Sequence, residues 1–373
     1  MFNTSRIAHL AKEHQDVFKD LAAIEDDLTS RFYKMKEPVR ALILAAAAGE
    51  SLLFIGPPGT GKSHLIRSFC AHLGLINENN PFQAHSDYFE YLLTRFTEPA
   101  ELFGYYDLAK AAKEGKLIRL TDNTLPKSKV VYLDEVFNAS SAILNALLAI
   151  MQEGIFHDRG LRVEVAMQLL LAATNTVPEA PELRAFYDRF LLRCPVHNLD
   201  IREEDPTGLS QFLERGLRET YGRRGRGNHQ NNPQRANEHS ILDRLKAFQE
   251  DLEKEFSADL LQPHSSRHND LEFWKTFAAM VDYARQSELS EMSNRRLVKI
   301  VHLMIVHRIY DAVRAGEAPS APQLSLRKEE LALIPRYLLD RFDDQVAIEH
   351  LRSLSDLKRL EMNHAGFFRK SRS

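Results

Sequence analysis

The chain has 373 residues, 44% hydrophobic and 27% charged, an ordinary globular composition long enough for about two domains. Its formal net charge of −3 offers no global basic field of the kind that marks nucleic-acid binding. Two cysteines, Cys70 and Cys194, each inside an apolar run, exclude a disulfide framework, and the opening MFNTSRIAHLAKEHQD lacks the apolar core of a secretory signal, so a soluble cytoplasmic protein is expected.

Residues 13–35 combine mixed charge with apolar spacing and predict an amphipathic helix. Pro38 near its start and Gly49 just past its end bracket a second helix. Its stretch 41–49, ALILAAAAG, is the most apolar in the chain but too short to span a bilayer, so no membrane span is expected. Short apolar runs follow at 51–55, 91–96, 130–133 and 169–173, alternating with helical stretches such as 141–152. Near-continuous apolar character predicts strands buried on both faces of a parallel sheet, and the alternation predicts an α/β architecture for the first ~200 residues. Beyond Asp200 the pattern is helical and charged. Helices are expected at 241–257, 270–285, 294–314 (where Leu297, Val301, Met304 and Ile305 share a face) and 328–362, the last after a proline-rich break at 316–323. Between them, 222–240 has one hydrophobic residue, Ala236, and reads as a flexible insert.

Three segments carry chemistry. Gly56-Pro57-Pro58-Gly59-Thr60-Gly61-Lys62-Ser63, with His64 next, fits the phosphate-binding loop G-x-x-x-x-G-K-[ST], between an apolar strand and an apolar-faced helix. Glycines let backbone N–H groups curl around phosphate oxygens, the helix adds its positive N-terminal end, Lys62 is a cation for the β- and γ-phosphates, and the Ser63 hydroxyl suits Mg²⁺. Val130-Val131-Tyr132-Leu133-Asp134-Glu135 is an apolar strand ending in two carboxylates, Asp134 to help hold Mg²⁺ and Glu135 to polarise an attacking water as general base. Leu169–Thr174 followed by Asn175 is an apolar strand ending in an amide able to position that water. Alone, the second and third segments would read as ordinary strand ends; coupled to the loop they gain specificity.

In order, these segments resemble Walker A, Walker B and sensor 1 of the AAA+ ATPases. The stretch 94–160, TRFTEPAELFGYYDLAKAAKEGKLIRLTDNTLPKSKVVYLDEVFNASSAILNALLAIMQEGIFHDRG, is similar to the MoxR family, most of all its RavA-type branch, although the late β-rich insertion of that branch is not seen here. The resemblance implies an α/β nucleotide domain with a five-stranded parallel sheet over 1–200 (N-terminal helices 13–48 included). It implies an all-helical lid over 201–320 containing the 222–240 insert, and a helical tail over 321–373. It implies a helix-bearing insertion near 98–122, a hairpin near 154–166, and ATP and Mg²⁺ as ligands. It implies a ring, usually a homohexamer, working on a client or adaptor protein, often one with a von Willebrand factor A (vWA) domain. Tyr187-Asp188-Arg189-Phe190 is similar to the segment bearing the arginine finger, a trans-acting cation worth about 10³–10⁵ in rate in related P-loop enzymes. Arg193 competes for that role, and Arg184 is a third candidate. Ser293-Asn294-Arg295 resembles sensor 2, with Ser293 as helix cap and Arg295 in the first turn; Arg296 is adjacent.

Other features point less specifically. His264 and His268 sit four apart, but Pro263 argues against a helical metal face. Arg223, Arg224, Arg226 and Arg235 stand among glycines and polar residues and read as a solvated insert; nucleic acid is not expected as a partner. Trp274 is expected in a core with Leu271, Phe273 and Phe277. Phe103, Tyr105 and Tyr106, and the apolar residues Leu331, Leu333, Ile334, Tyr337 and Leu338 of the tail, are candidates either for partner contact or for internal packing. Two other function classes fit less of the chain: a DNA- or RNA-directed motor, and a nucleotide-gated binding module with slow turnover.

Overall fold

A computed structural model describes residues 3–76, 86–200, 206–221, 240–258, 268–318 and 320–355. They divide into two units, 21–246 and 1–20 with 247–373. Residues 1–20 fall with the C-terminal helices because one of these packs against α1 (Thr4–Glu13). That helix is cut off from the charge pattern of 13–35, and Asn3 starts it by accepting from the backbone N–H groups of Ser5 and Arg6 at 3.2 and 3.4 Å.

The first unit begins within α2 (Gln15–Arg31) and continues through α3 (Lys36–Ala48), which ends at Gly49 as expected. Its strands are β1 (Leu52–Ile55), β2 (Tyr88–Leu92), β3 (Val130–Asp134), an antiparallel hairpin of β4 (Ile155–Asp158) and β5 (Leu161–Glu164), then β6 (Leu169–Thr174) and β7 (Leu192–Pro195). Five of these form one parallel sheet in the order β2-β3-β6-β1-β7. Leu52, Leu53, Val130, Val131, Leu133, Leu171 and Ala172 are all 0% exposed, which is why these runs lack a polar face. Each such leucine contributes about 1.5–3 kcal/mol by leaving water.

Two strands depart from the sequence reading. β2 lies three residues earlier than 91–96, because Thr94 and Thr97 close a turn (Thr94 N–H donates to Thr97 Oγ1 at 2.9 Å) that leaves Phe96 92% exposed. The fifth strand, β7, was not among the apolar runs, since Arg193 interrupts it.

Helices α4 (Lys62–His72) and α7 (Ser141–Glu153) flank the central strands in sequence. The expected insertion contains α5 (Pro99–Phe103) and α6 (Leu108–Glu114), and the expected hairpin is β4–β5. The two are bolted together. Phe103 stacks on Phe156 with centroids 4.6 Å apart, and Asp158 Oδ1 accepts from Tyr106 Oη at 3.0 Å and pairs with Arg119 Nε at 3.1 Å. Of the three insertion aromatics, Phe103 is thus internal, Tyr106 lies under the Arg119 guanidinium at 4.3 Å, and Tyr105 is 57% exposed. The unit continues through α8 (Pro181–Tyr187) and α9 (Pro206–Tyr221) and ends within α10 (Ile241–Ala258).

The second unit is helical: α11 (His268–Gln286), α12 (Asn294–Arg314), α13 (Lys328–Leu331), α14 (Leu333–Tyr337) and α15 (Gln345–Leu354), with α1 against α12. Helix α12 is buried on every side from Leu303 to Tyr310, the signature of a central helix rather than an amphipathic one. Met304 and Ile305 are core as expected, while Leu297 and Val301 are half-buried. Its buried polar groups are paired: His307 Nδ1 lies 3.3 Å from Glu330 Oε1, and Arg308 Nε donates to the Ser325 carbonyl at 3.0 Å. The tail expected to be helical over 328–362 is helical in three pieces among its described residues, with α13 and α14 meeting at Ala332 and Asp344 capping a new start at α15. Leu331, Leu333, Ile334, Tyr337 and Leu338 are buried inside this unit and are not a partner face. Trp274 is half-buried against Phe273 and Phe277, with Leu271 50% exposed, so it is less central than expected. The insert 222–239 with its arginines, and His264, lie outside the described residues, as does the side chain of His268. Among the described residues no helix is long and apolar enough to cross a membrane.

Arg296 is the polar anchor of this unit. It is 2% exposed, donates to Asp340 Oδ1 at 2.6 Å, to Ser290 Oγ at 3.1 Å and to the Leu338 carbonyl at 2.9 Å, and so ties α12 to the turn after α14. Arg296→Ala is expected to lower the unfolding free energy by about 3 kcal/mol, the cost of breaking a buried charge pair. Arg295→Ala, at an exposed position, should stay within about 0.5 kcal/mol. Urea titrations followed by circular dichroism measure both, and equal costs would contradict the assignment.

Candidate functional site

The phosphate-loop sequence leaves the sheet at Ile55, at the end of β1, between β6 and β7. Gly56 N–H donates to the Thr174 carbonyl at 3.1 Å, and Val196 N–H donates to the Ile55 carbonyl at 2.7 Å, so the loop's root is clamped by both neighbours of β1. A Cβ on Gly56 would stand 1.9 Å from the Val196 carbonyl oxygen, which only glycine avoids. Gly61, at φ +87°, turns the chain into α4. Thr60 Oγ1 braces the loop by donating to the Pro57 carbonyl at 3.0 Å.

Lys62, 7% exposed, folds back over this loop, its Nζ donating to the carbonyls of Gly56 at 2.5 Å and Pro57 at 2.9 Å. Burial lowers its pKa, opposed by the charges of Asp134 and Glu135. Ser63 Oγ donates to Asp134 Oδ2 at 2.9 Å and accepts from Tyr132 Oη at 2.9 Å. The backbone at Glu135 turns into the left-handed region, φ 52° and ψ 44°, with its N–H donating to Asp134 Oδ1 at 3.0 Å. The turn sends two consecutive carboxylates to different tasks: Asp134 to the loop, and Glu135 to Asn175, whose Nδ2 donates to Glu135 Oε1 at 2.5 Å. Burial raises the Glu135 pKa, and Asp134 adds to the rise, while Lys62 and Asn175 oppose it. Glu135, Asn175, Thr176 and Phe137 line an open cavity of about 650 Å³.

The structure therefore brings Lys62, Ser63, Asp134, Glu135 and Asn175 to the C-terminal edge of one sheet, where open α/β sheets bind ligands. A hydroxyl and a carboxylate oxygen at 2.9 Å form a hard-oxygen donor pair of the kind Mg²⁺ prefers, and the glycine cradle suits a phosphate chain, so both expected ligands fit these residues. The His64 ring lies 5.3 Å from that of Phe32.

The arginines separate. Arg193 is 0% exposed inside β7, its Nη2 donating to the Tyr187 carbonyl at 2.9 Å and its guanidinium 4.1 Å from the Tyr187 ring, so it cannot reach another subunit and is not a finger. Arg189 follows α8, pairs with Asp188 at 3.5 Å and touches the Gln152 amide. Arg184 is exposed at the end of α8. Arg295 is exposed in the first turn of α12, whose cap is Ser293 as expected, its Oγ accepting from Arg296 N–H at 3.4 Å. The hydroxyl of Tyr132 and the amide of Gln152 were not singled out from the sequence; a phenol inside an otherwise apolar strand was the signal for the first.

The family described as the MoxR domain in MoxR-vWA-beta-propeller ternary systems matches residues 19–220. Two uncharacterized proteins of Methanocaldococcus jannaschii are 39% identical over 184 residues (49% of this chain, 46% of theirs) and 40% identical over 202 residues (54% and 49%). The chain thus spans about half the length of these relatives. A candidate ATPase of Cytophaga hutchinsonii shares the fold with a TM-score of 0.58 at 14% identity, covering 92% of this chain and 96% of that one. The fold is that of the AAA+ ATPases.

A raised carboxyl pKa is a stability cost. The folded chain holds the Glu135 proton more tightly than the unfolded one, so stability falls as pH rises through the ordinary carboxylate range and is unaffected below it. Without nucleotide, Glu135→Gln should therefore be slightly more stable than wild type at neutral pH, by less than ~1 kcal/mol after solvent screening. The difference should vanish below about pH 4. Thermal melts across pH measure it, and a variant less stable at pH 7 would contradict the electrostatic account.

Proposed function

The chain belongs to the MoxR-domain family of the MoxR–vWA–β-propeller systems, and from that premise we propose that it is an ATP hydrolase that couples turnover in a ring to the remodelling of a partner protein. The observation that carries this reading is the split of two adjacent carboxylates, Asp134 onto the Ser63 hydroxyl and Glu135 onto the Asn175 amide. A site built only to bind nucleotide needs the first and has no use for the second.

ATP is the substrate. Its phosphates meet the N–H groups of the loop and the start of α4, and Lys62 exchanges the carbonyls of Gly56 and Pro57 for phosphate oxygens. Ser63 and Asp134 would hold Mg²⁺, which when bound would neutralise phosphate charge. Asn175 occupies Glu135 Oε1, leaving Oε2 to take the proton of the attacking water, and the raised pKa makes the carboxylate a stronger base. Water oxygen bonds to the γ-phosphorus, the bond to the bridging oxygen breaks, and ADP leaves. Arg189 is the finger, acting on the nucleotide of a neighbouring copy.

A vWA-domain protein is the partner class that the family's description supports. Within the family we read the chain as nearest the RavA-type branch, a cytoplasmic ring of six subunits acting as a chaperone for a client protein.

Lys62→Ala should weaken ATP binding at least about 100-fold (~2.7 kcal/mol), whereas Glu135→Gln should bind normally and turn over about 10²–10⁴-fold more slowly. Calorimetry and phosphate release separate the two, and a Glu135→Gln variant as fast as wild type would remove the base assignment. Arg189→Ala should cut turnover about 10³-fold or more with ATP binding intact. Mixing it with Glu135→Gln should recover activity, because mixed rings contain competent interfaces; mixtures inactive at every ratio would refute the trans role.

A further inference from the structure

Strand β3 is hydrocarbon except at one position before its carboxylate. Val130, Val131 and Leu133 are fully buried, and so is Tyr132, which carries a hydroxyl into the same interior. A buried phenol needs a hydrogen-bond partner. Its partner is not the polar residue beside it in the ladder: Glu90, opposite Tyr132 on β2, is already taken by Arg67 at 2.6 and 2.9 Å and by Tyr88 Oη at 2.9 Å. Tyr132 Oη donates instead to Ser63 Oγ at 2.9 Å, and Ser63 Oγ donates to Asp134 Oδ2 at 2.9 Å.

A serine hydroxyl has one proton and two lone pairs. Here the proton is committed to Asp134 and one lone pair to Tyr132, which fixes the side chain in one staggered well and leaves one lone pair. We propose that Tyr132 is a positioning residue for the divalent cation: it locks the Ser63 hydroxyl so that its remaining lone pair is presented to Mg²⁺, without touching metal or nucleotide itself. The inference rests on the nucleotide reading above. Fixing the rotamer before the ligands arrive removes an ordering cost from metal binding. A phenylalanine would fill the strand equally well, so only the hydroxyl calls for this explanation.

Tyr132→Phe in the full chain removes that hydroxyl and little else. ATP affinity is measured by calorimetry in EDTA and in excess Mg²⁺, and the readout is the gain conferred by Mg²⁺. The variant should keep the wild-type affinity in EDTA and lose about three- to tenfold of the Mg²⁺ gain, ~0.6–1.4 kcal/mol, the worth of one hydrogen bond. Tyr88→Phe, which removes a half-buried tyrosine hydroxyl bonded to Glu90 rather than Ser63, should leave both affinities unchanged. A full Mg²⁺ gain in Tyr132→Phe overturns the proposal, as does an equal loss in EDTA and Mg²⁺ or an equal effect of Tyr88→Phe. Absence of ATP binding by wild type in both conditions overturns the nucleotide reading itself, and the proposal with it.

Discussion

The two parallel ladders that flank β1 hold the root of the phosphate loop in register with the strand end that carries Asn175. On one side Gly56 N–H is tied to Thr174, the residue before Asn175; on the other Ile55 accepts from Val196 at the end of β7. Moving the loop would therefore move the amide that faces Glu135. The close approach of Gly56 to the Val196 carbonyl is the steric form of the same constraint, since no side chain fits there. The chemistry is concentrated where three strands end, and α3 packs its buried hydrocarbon against β1 and β7.

Electrostatics at this edge is a balance of near neighbours. Lys62 is buried among loop carbonyls and two carboxylates, and burial outweighs their attraction enough to lower its pKa. Glu135 feels the opposite pair of influences, burial and Asp134 against Lys62 and Asn175. Each charged group is destabilised by burial and stabilised by a neighbour with a catalytic task, so the site is poised to respond when phosphate charge replaces a carbonyl.

The strand–loop–helix and the acidic strand end were legible because their chemistry requires fixed residue types at fixed spacing, and the apolar runs around them can only be central strands. What escaped was decided by tertiary contact. β7 is four residues long and carries Arg193, which is acceptable in a buried strand because the Tyr187 carbonyl and ring receive it. β2 slipped because Phe96 looks like a strand residue but lies within the turn that Thr94 and Thr97 close. Helix α1 was hidden because its partner, α12, lies some three hundred residues away in sequence. Tyr132 reads as an ordinary strand former, and only the position of Ser63 reveals what its hydroxyl does. The choice between Arg295 and Arg296 was likewise a matter of burial: Asp340 and the Leu338 carbonyl claim the second.

The account stands or falls on whether this edge performs hydrolysis rather than binding alone, and on whether a second copy of the chain completes it. Phosphate release from ATP by the full chain, followed against Mg²⁺ and protein concentration, tests both together. The account predicts release that requires Mg²⁺ and a rate per chain that rises with protein concentration, because Arg189 acts from a neighbour. Stoichiometric ATP binding with no release at any protein concentration would contradict it.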